Sequence, residues 1–293
     1  MNSAREQQPG RLAIIAGGGK LPLYVAEAAR RAGEDPLIIA MEGETALDWS
    51  GWDHVWLGLG NVAGFDQIAH SNNIDRVVMC GAIKRRPALS ELRLNLATLL
   101  KVPEGIRKLV SGGDNALLTM VANLIERRGR RVIGAHEIAP DLLAETGPIG
   151  QHRPDKEAIA DIGVAIDAAL TIGRLDIGQA AVTVGGRVVA LEGPEGTDEV
   201  LLRVADLKSA GRVSSRRRGV LVKLCKPGQD ERMDLPSIGV STLENAHKAG
   251  LAGVAIEAGR SLVLDRQAVC DFADRHGMFV YGIDPQQTEG RAP

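Results

Sequence analysis

The chain has 293 residues, with 35 Lys+Arg against 37 Asp+Glu and a formal net charge of −2. That balance argues against a dedicated nucleic-acid binder, which carries a basic excess, and 44% hydrophobic with 25% charged residues is the profile of an ordinary globular protein. The 35 glycines exceed the usual share of about 7% without a collagen-like period, while 3 Trp, 2 Tyr and 3 Phe leave few rings for stacking on bases.

Met1–Gly10 is polar, lacks an apolar h-region and reads as a flexible leader rather than a signal peptide. Leu12–Ala16 reads as a buried strand, followed by Gly17-Gly18-Gly19 and a helix from about Leu21 to Ala32. Strands follow at Pro36–Met41, Val55–Leu59 and Arg76–Cys80, with a helix over about Gly64–Asn72 between the last two. Repeated strand–helix units imply parallel strands joined by helical crossovers. A Leu-rich helical stretch at Ser90–Leu100, a helix from Asp114 to Arg128 and a strand at Arg131–Ile133 complete residues 11–146. This is an α/β, Rossmann-like amino-terminal domain, expected to bind substrate.

The run Gly147-Pro148-Ile149-Gly150-Gln151-His152-Arg153-Pro154 has no apolar period and reads as a hinge linker. Residues 155–285 have the texture of a mixed α/β carboxyl-terminal domain, expected to be catalytic. Its first helix spans roughly Asp155–Thr171. Ala180–Val184 and Arg187–Leu191 flank Gly185-Gly186, a two-residue hairpin signal. A helix at Val200–Ala210, a strand at Gly219–Leu224 and a helix at Leu243–Ala249 come next. Strands near Gly253–Glu257 and Ser261–Leu264, a helix at Arg266–Arg275 and a strand at Met278–Gly282 close the domain, and residues 286–293 read as a flexible tail. No uninterrupted apolar run approaches the ~18 residues of a membrane span. Cys80, Cys225 and Cys270 are far apart, which suits neither a disulfide framework nor zinc and points to a reducing cytoplasm.

Three constellations could carry chemistry. In Ile14-Ile15-Ala16-Gly17-Gly18-Gly19-Lys20-Leu21-Pro22, a strand, a glycine turn and a helix start place backbone N–H groups where a phosphate can sit. The run is neither GxGxxG nor a Walker A loop, although Glu42 after the next strand could stand in for a ribose-binding acid. A tight turn without ligand is the other reading. Cys80-Gly81-Ala82-Ile83-Lys84-Arg85-Arg86-Pro87 ends a strand with three cations, as an anion site or a solvated basic turn. Ser111-Gly112-Gly113-Asp114-Asn115 resembles a helix start with Asp114 as cap or anion contact.

The densest cluster is Lys223, Lys226, Gln229, Asp230, Arg232 and Asp234. Cations can neutralise phosphate oxygens there, and two Asp four residues apart can hold Mg²⁺ or orient a water; a surface loop charged for solubility alone is the other reading. Glu195-Gly196-Thr197-Asp198 is a second such signal, with Asp198 as helix cap or metal ligand. The histidines are scattered and His136-Glu137 lacks the second His of HExxH, so a zinc protease is not expected. Ser214-Ser215-Arg216-Arg217-Arg218 reads as a basic loop able to meet anionic head groups.

These segments resemble a known family. Ile15-Ala16-Gly17-Gly18-Gly19-Lys20-Leu21-Pro22 is similar to its amino-terminal signature, and Ala190-Leu191-Glu192-Gly193-Pro194-Glu195-Gly196-Thr197-Asp198 to its central one. Lys223-Leu224-Cys225-Lys226-Pro227-Gly228-Gln229-Asp230-Glu231-Arg232-Met233-Asp234-Leu235-Pro236-Ser237-Ile238-Gly239 resembles the carboxyl-domain signature, continued by Gly253–Gly259. The family is the LpxI-type UDP-2,3-diacylglucosamine pyrophosphatases of lipid A biosynthesis. The resemblance implies hydrolysis of UDP-2,3-diacylglucosamine to UMP and 2,3-diacylglucosamine 1-phosphate (lipid X), by water attacking the sugar-side phosphorus with a divalent cation, usually Mg²⁺. It also implies two domains that close over the substrate, and a cytoplasmic enzyme open to peripheral contact with the inner membrane of a Gram-negative bacterium. On that basis Asp230, Lys223, Lys226 and Arg232 are expected to be catalytic, with Asp230, Asp234 and Asp198 as metal ligands. Gly17, Gly18, Gly19, Lys20, Gly81, Lys84, Asp114, Asn115, Thr197 and Gln229 are expected to bind substrate. A non-catalytic nucleotide-sugar or lipid carrier and a nicotinamide-dependent oxidoreductase are the alternatives.

Overall fold

The computed structural model describes residues 10–83 and 114–285. The expected leader and tail, the Leu-rich stretch at residues 90–100, Lys84 and residues 111–113 lie outside the described residues. The chain divides into two compact units: Met1–Pro140 with Asp230–Asp234, and Asp141–Gln229 with Leu235–Pro293.

The first unit contains β1 (Arg11–Ala16), α1 (Leu21–Arg31), β2 (Leu37–Met41), β3 (His54–Leu57), α2 (Val62–Ser71), β4 (Ile74–Cys80), α3 (Asp114–Glu126), β5 (Arg131–Ile133) and α4 (Ala135–Ile138). Its strands form one parallel sheet in the order β3-β2-β1-β4-β5. β2 is buried at every position, as a strand covered on both faces must be. One face packs Leu12, Ile14, Val25 and Ile38; the other packs Ala13, Ile39, Phe65, Val77 and Ile125. Helix starts follow local chemistry. Pro22 sits in the first turn of α1, where its missing N–H costs nothing, and Asn61 accepts from Gly64 N to cap α2. From β1 the chain moves outward through β2 and β3, then returns to β4 on the other flank. The switch point between β1 and β4 leaves a crevice at their carboxyl ends, the usual ligand position of such sheets.

The second unit contains β6 (Gly147–Pro148), α5 (Lys156–Arg174), β7 (Ala180–Val184), β8 (Arg187–Leu191), α6 (Thr197–Ser209), β9 (Gly219–Lys223), β10 (Ser237–Ile238), α7 (Val240–Lys248), β11 (Leu251–Glu257), β12 (Leu262–Val263), α8 (Arg266–Arg275) and β13 (Phe279–Ile283). The main sheet runs β6-β13-β11-β9-β7-β8, with β13, β11 and β9 parallel and β6 and β7 antiparallel to their neighbours. The β7–β8 hairpin turns through Gly185 and Gly186, both at positive φ, the backbone that a two-residue turn of this hand requires. Asp161 on α5 accepts from both turn N–H groups. β10 and β12 form a small separate parallel pair.

Part of the expected linker is sheet. Gly147 and Pro148 pair antiparallel with Gly282 and Tyr281, and Ile149 N donates to Val280 O at 2.9 Å. A proline is compatible with this position because an edge strand leaves one side of its backbone unpaired. The division between units falls instead between Pro140 and Asp141. Among the described residues no helix is long and apolar enough to cross a membrane.

Candidate active site

In the first unit the candidate site is built at the switch point from backbone. Gly17 N donates to Cys80 O at 2.9 Å, Gly18 N to Ala82 O at 2.7 Å, and Ala82 N returns a bond to Gly18 O at 2.9 Å. A Cβ on Gly17 would lie 2.8 Å from the carbonyl oxygens of Gly81 and Ala82, and one on Gly81 only 2.7 Å from Gly18 O. Gly81 also holds φ at +91°. These glycines therefore stitch the β1 and β4 ends together by close backbone approach. The N–H groups of Gly17 and Gly18, expected to face a phosphate, are engaged by carbonyls. Gly19 and Lys20 are exposed, and α1 has no side-chain cap, so the anion-accepting end of the loop is its helix side. Cys80, beneath this bridge, has its thiol pushed up to about 12 by burial, which rules it out as a nucleophile near neutral pH.

The Asp230–Asp234 segment belongs to this unit. Met233 is buried with Ala122, Ile125 and Val132, against α3 and the edge strand β5. Asp230 Oδ1 accepts from Arg232 N at 3.1 Å and Nε at 2.9 Å, while Oδ2 accepts from Nη2 at 2.7 Å. Arg232 Nη1 reaches Glu126 Oε1 at 2.7 Å. Hydrogen bonds from the Arg232 side chain hold the Asp230 carboxyl below its usual range, against the opposing effect of burial. Asp230 is thus a persistent carboxylate and a poor proton acceptor at neutral pH. It is suited to orienting a water or meeting a cation rather than to general-base work.

In the second unit the site residues gather at the carboxyl edge of the parallel strands. Lys223 ends β9 at 9% exposure, and its Nζ donates to Ser237 O at 3.0 Å. No carboxylate pairs with it among the described residues. A buried ammonium without a counter-ion is costly in isolation and favourable once an anion arrives. Lys226 Nζ instead pairs with Asp176 Oδ1 at 2.7 Å, just beyond the end of α5. The two lysines are three residues apart, yet one reaches towards β10 and the other towards the end of α5.

The turn between them is clamped from below. Glu257, buried at the end of β11, accepts from Cys225 N at 2.9 Å and from Arg260 Nη1 at 2.8 Å. Gln229 Oε1 accepts from Lys226 N at 3.1 Å, so this side chain shapes the loop. Thr197 is likewise engaged, donating to Glu192 Oε1 at 2.6 Å, while Glu192 Oε2 accepts from Gln179 N at 2.8 Å. Asp198 is exposed in the first turn of α6 and accepts from Asn245 Nδ2 at 3.0 Å. Asp114 and Asn115 are the first residues of α3. Glu126, Glu192, Glu257 and Arg260 carry much of this geometry and were not singled out from sequence. The available signal was an acid at the end of an apolar strand run, as in Ala255-Ile256-Glu257.

The expected metal set is not assembled. Among the described residues no three His, Cys, Asp or Glu side chains form a group able to hold a metal ion. Asp230 and Asp234 belong to the first unit and Asp198 to the second. Within either unit, the described residues bring no three such carboxylates together.

Residues 11–142 match the LpxI N-terminal domain and residues 145–281 the LpxI C-terminal domain. The chain belongs to the LpxI family. It is 42% identical over 281 residues to the UDP-2,3-diacylglucosamine pyrophosphatase LpxI of Caulobacter vibrioides, covering 94% of this chain and 99% of the relative. The two LpxI domains correspond to the two α/β units, except that Asp230–Asp234, within the span of the LpxI C-terminal domain, packs with the first unit. Glu42 is exposed beyond β2, and the glycine turn after β1 lacks the GxGxxG spacing.

Proposed function

We propose that this LpxI-family chain hydrolyses UDP-2,3-diacylglucosamine to UMP and lipid X in lipid A biosynthesis. The observation that carries this reading is the 42% identity over nearly the full length of both chains to a protein of that named activity. The local chemistry supports it, because an ionised Asp230 and the cations Lys223, Lys226 and Arg232 are the groups a diphosphate hydrolysis uses.

In this reaction the water oxygen forms a bond to the sugar-side phosphorus. The bond from that phosphorus to the bridging oxygen breaks, and its electron pair leaves with UMP. Of the two water protons, one passes to solvent and the other stays on the new phosphate group. Asp230 accepts a hydrogen bond from the attacking water and so aligns it, which is the part of catalysis that geometry supplies. On the first unit Arg232, whose Nε–Nη2 edge is engaged by Asp230, holds that carboxylate in place, and exposed Gly19 and Lys20 offer an anion contact at the start of α1. On the second unit Lys223 is a buried cation suited to an incoming anion. The exposed Ser214–Arg218 loop is assigned peripheral contact with anionic lipid at the cytoplasmic face of the membrane.

The test is incubation of the purified chain with UDP-diacylglucosamine, with Mg²⁺ or with EDTA, followed by mass spectrometry. UMP and lipid X in equal amounts are expected. Binding without either product would make the protein a carrier, and full activity in EDTA would remove a divalent cation from the reaction. Retention on phosphatidylglycerol vesicles, lost in R216S/R217S, checks the membrane contact.

A further inference from the structure

Several helices of this chain end on a residue in the left-handed conformation, and at α5 that residue carries a charge. α1, α6, α7 and α8 pass into Gly33 at φ +83°, Gly211 at +67°, Gly250 at +65° and Gly277 at +60°. α2 passes into Asn73 at +49°. Glycine and, less often, asparagine are the usual residues for this cap. α5 reaches the same conformation with Asp176, at φ +53°. The capping motif there is complete in the main chain, because Asp176 N donates to Gly173 O and Ile177 N to Ile172 O, each at 3.0 Å. It needs no carboxylate. A side chain strains the left-handed backbone, and a negative charge stands against the carbonyl end of the helix dipole. Packing does not offset these costs, since Leu175 and Ile177 on either side are 68% and 49% exposed.

What the carboxylate does is reach Lys226, fifty residues further along, whose Nζ donates to Asp176 Oδ1 at 2.7 Å. Both ends of the pair are fixed. A Cβ on Gly173 would lie 3.0 Å from Pro227 Cδ and 3.6 Å from Lys226 Cα, so the last turn of α5 packs directly on the loop. Asp265, also left-handed at φ +54°, turns its carboxylate to its own helix instead, accepting from Ala268 N. We infer that Asp176 is a positioning residue for Lys226, a charge kept where the fold alone would take glycine. It holds the ammonium at the carboxyl edge of the second unit's parallel strands, and the remaining N–H donors of Nζ point to a phosphate oxygen as their acceptor. A lysine stem is flexible, and fixing its tip beforehand removes an ordering cost from substrate binding. The phosphate is that of the hydrolase reading, on which this part rests.

The test compares wild type, D176G, D176N, K226M and D176G/K226M in the full chain, by UMP release and by thermal melts. D176G removes strain and carboxylate together, so it should melt no more than about 2 °C below wild type. Its kcat/KM should nevertheless fall about 10-fold, the worth of one charge-assisted contact. D176N keeps the shape and an acceptor oxygen without the charge, and should lose less than D176G. K226M should lose at least as much as D176G, and the double variant no more than K226M alone, because Asp176 acts only through Lys226. Losses that multiply in the double variant would overturn the inference, as would full activity in D176G. A D176G chain melting further below wild type than expected would make the carboxylate part of the fold, and overturn it too. Failure of the hydrolase reading would look different: the wild type itself would release no UMP, and the melts would still decide whether the fold needs a carboxylate at position 176.

Discussion

The two units solve the same problem with different materials. Each presents the carboxyl edge of parallel strands, but the first builds its edge from main chain and the second from buried side chains. At the β1–β4 junction, Gly17, Gly18 and Gly81 are packed backbone to backbone, while the unit's Asp230–Asp234 segment brings its charged groups in from elsewhere in the sequence and packs against α3 and β5. At the β9–β11 edge, Lys223, Glu192 and Glu257 are all buried, and the loop geometry is held by carboxylates. A backbone-built edge tolerates no added atoms. The side-chain-built edge depends on how its buried charges are partnered.

The largest expected effect tests the arriving segment. Asp230→Asn should lower kcat by about 10³-fold, or about 4 kcal/mol of transition-state stabilisation, with an unchanged far-UV spectrum. A rate within a few-fold of wild type would remove Asp230 from the chemistry. Next comes the backbone edge. Gly81→Ala forces a Cβ against Gly18 O at a positive φ, and should cost about 2–4 kcal/mol in urea unfolding from overpacking and backbone strain together. A stability loss of only a few tenths of a kcal/mol would contradict the close-approach account.

Lys223→Met separates charge from packing in the second edge. Replacing a buried, singly bonded ammonium by a similar-sized apolar chain is expected to leave the melting temperature unchanged or higher. KM should nevertheless rise about 10-fold, the worth of one charge-assisted contact of about 1.4 kcal/mol. A parallel fall in stability would mark Lys223 as structural.

The smallest effect is in pH. The Arg232 side chain holds the Asp230 carboxyl below its ordinary value of 3.8. The ionised form therefore persists as pH falls through that value, and the acid limb attributable to Asp230 lies below it. The pair's contribution to stability has the same sign: it is present above the unfolded-state value and disappears as pH falls through the folded one. Arg232→Gln should move that acid limb upward, measured as kcat/KM against pH.

Local structure was largely legible in the sequence. Continuous apolar runs marked the buried strands: Leu12–Ala16 was expected where Arg11–Ala16 forms, and Ala180–Val184 and Arg187–Leu191 form as read, because Gly185-Gly186 dictates their turn. The site was legible only in outline. Lys223 to Asp234 stood out as a charged cluster, but nothing local told that the run divides, with Asp230–Asp234 grouped with the first unit and Lys223 with the second. Met233 decides this, and a lone apolar residue in a polar loop has no periodicity to reveal which core it enters. The glycine turn misled in one respect, because its composition is the same whether the N–H groups meet a phosphate or the carbonyls of Cys80 and Ala82. Gly147-Pro148 read as a linker because an edge strand of two residues carries no alternation.

In the proposed reaction, water attacks the sugar-side phosphorus of a diacylglucosamine nucleotide. Hydrolysis of UDP-2,3-diacylglucosamine in H₂¹⁸O, followed by mass spectrometry of both products, tests it most directly. One ¹⁸O in the phosphate of lipid X and none in UMP is the predicted result. Label in UMP, or no hydrolysis by the folded chain, would contradict it.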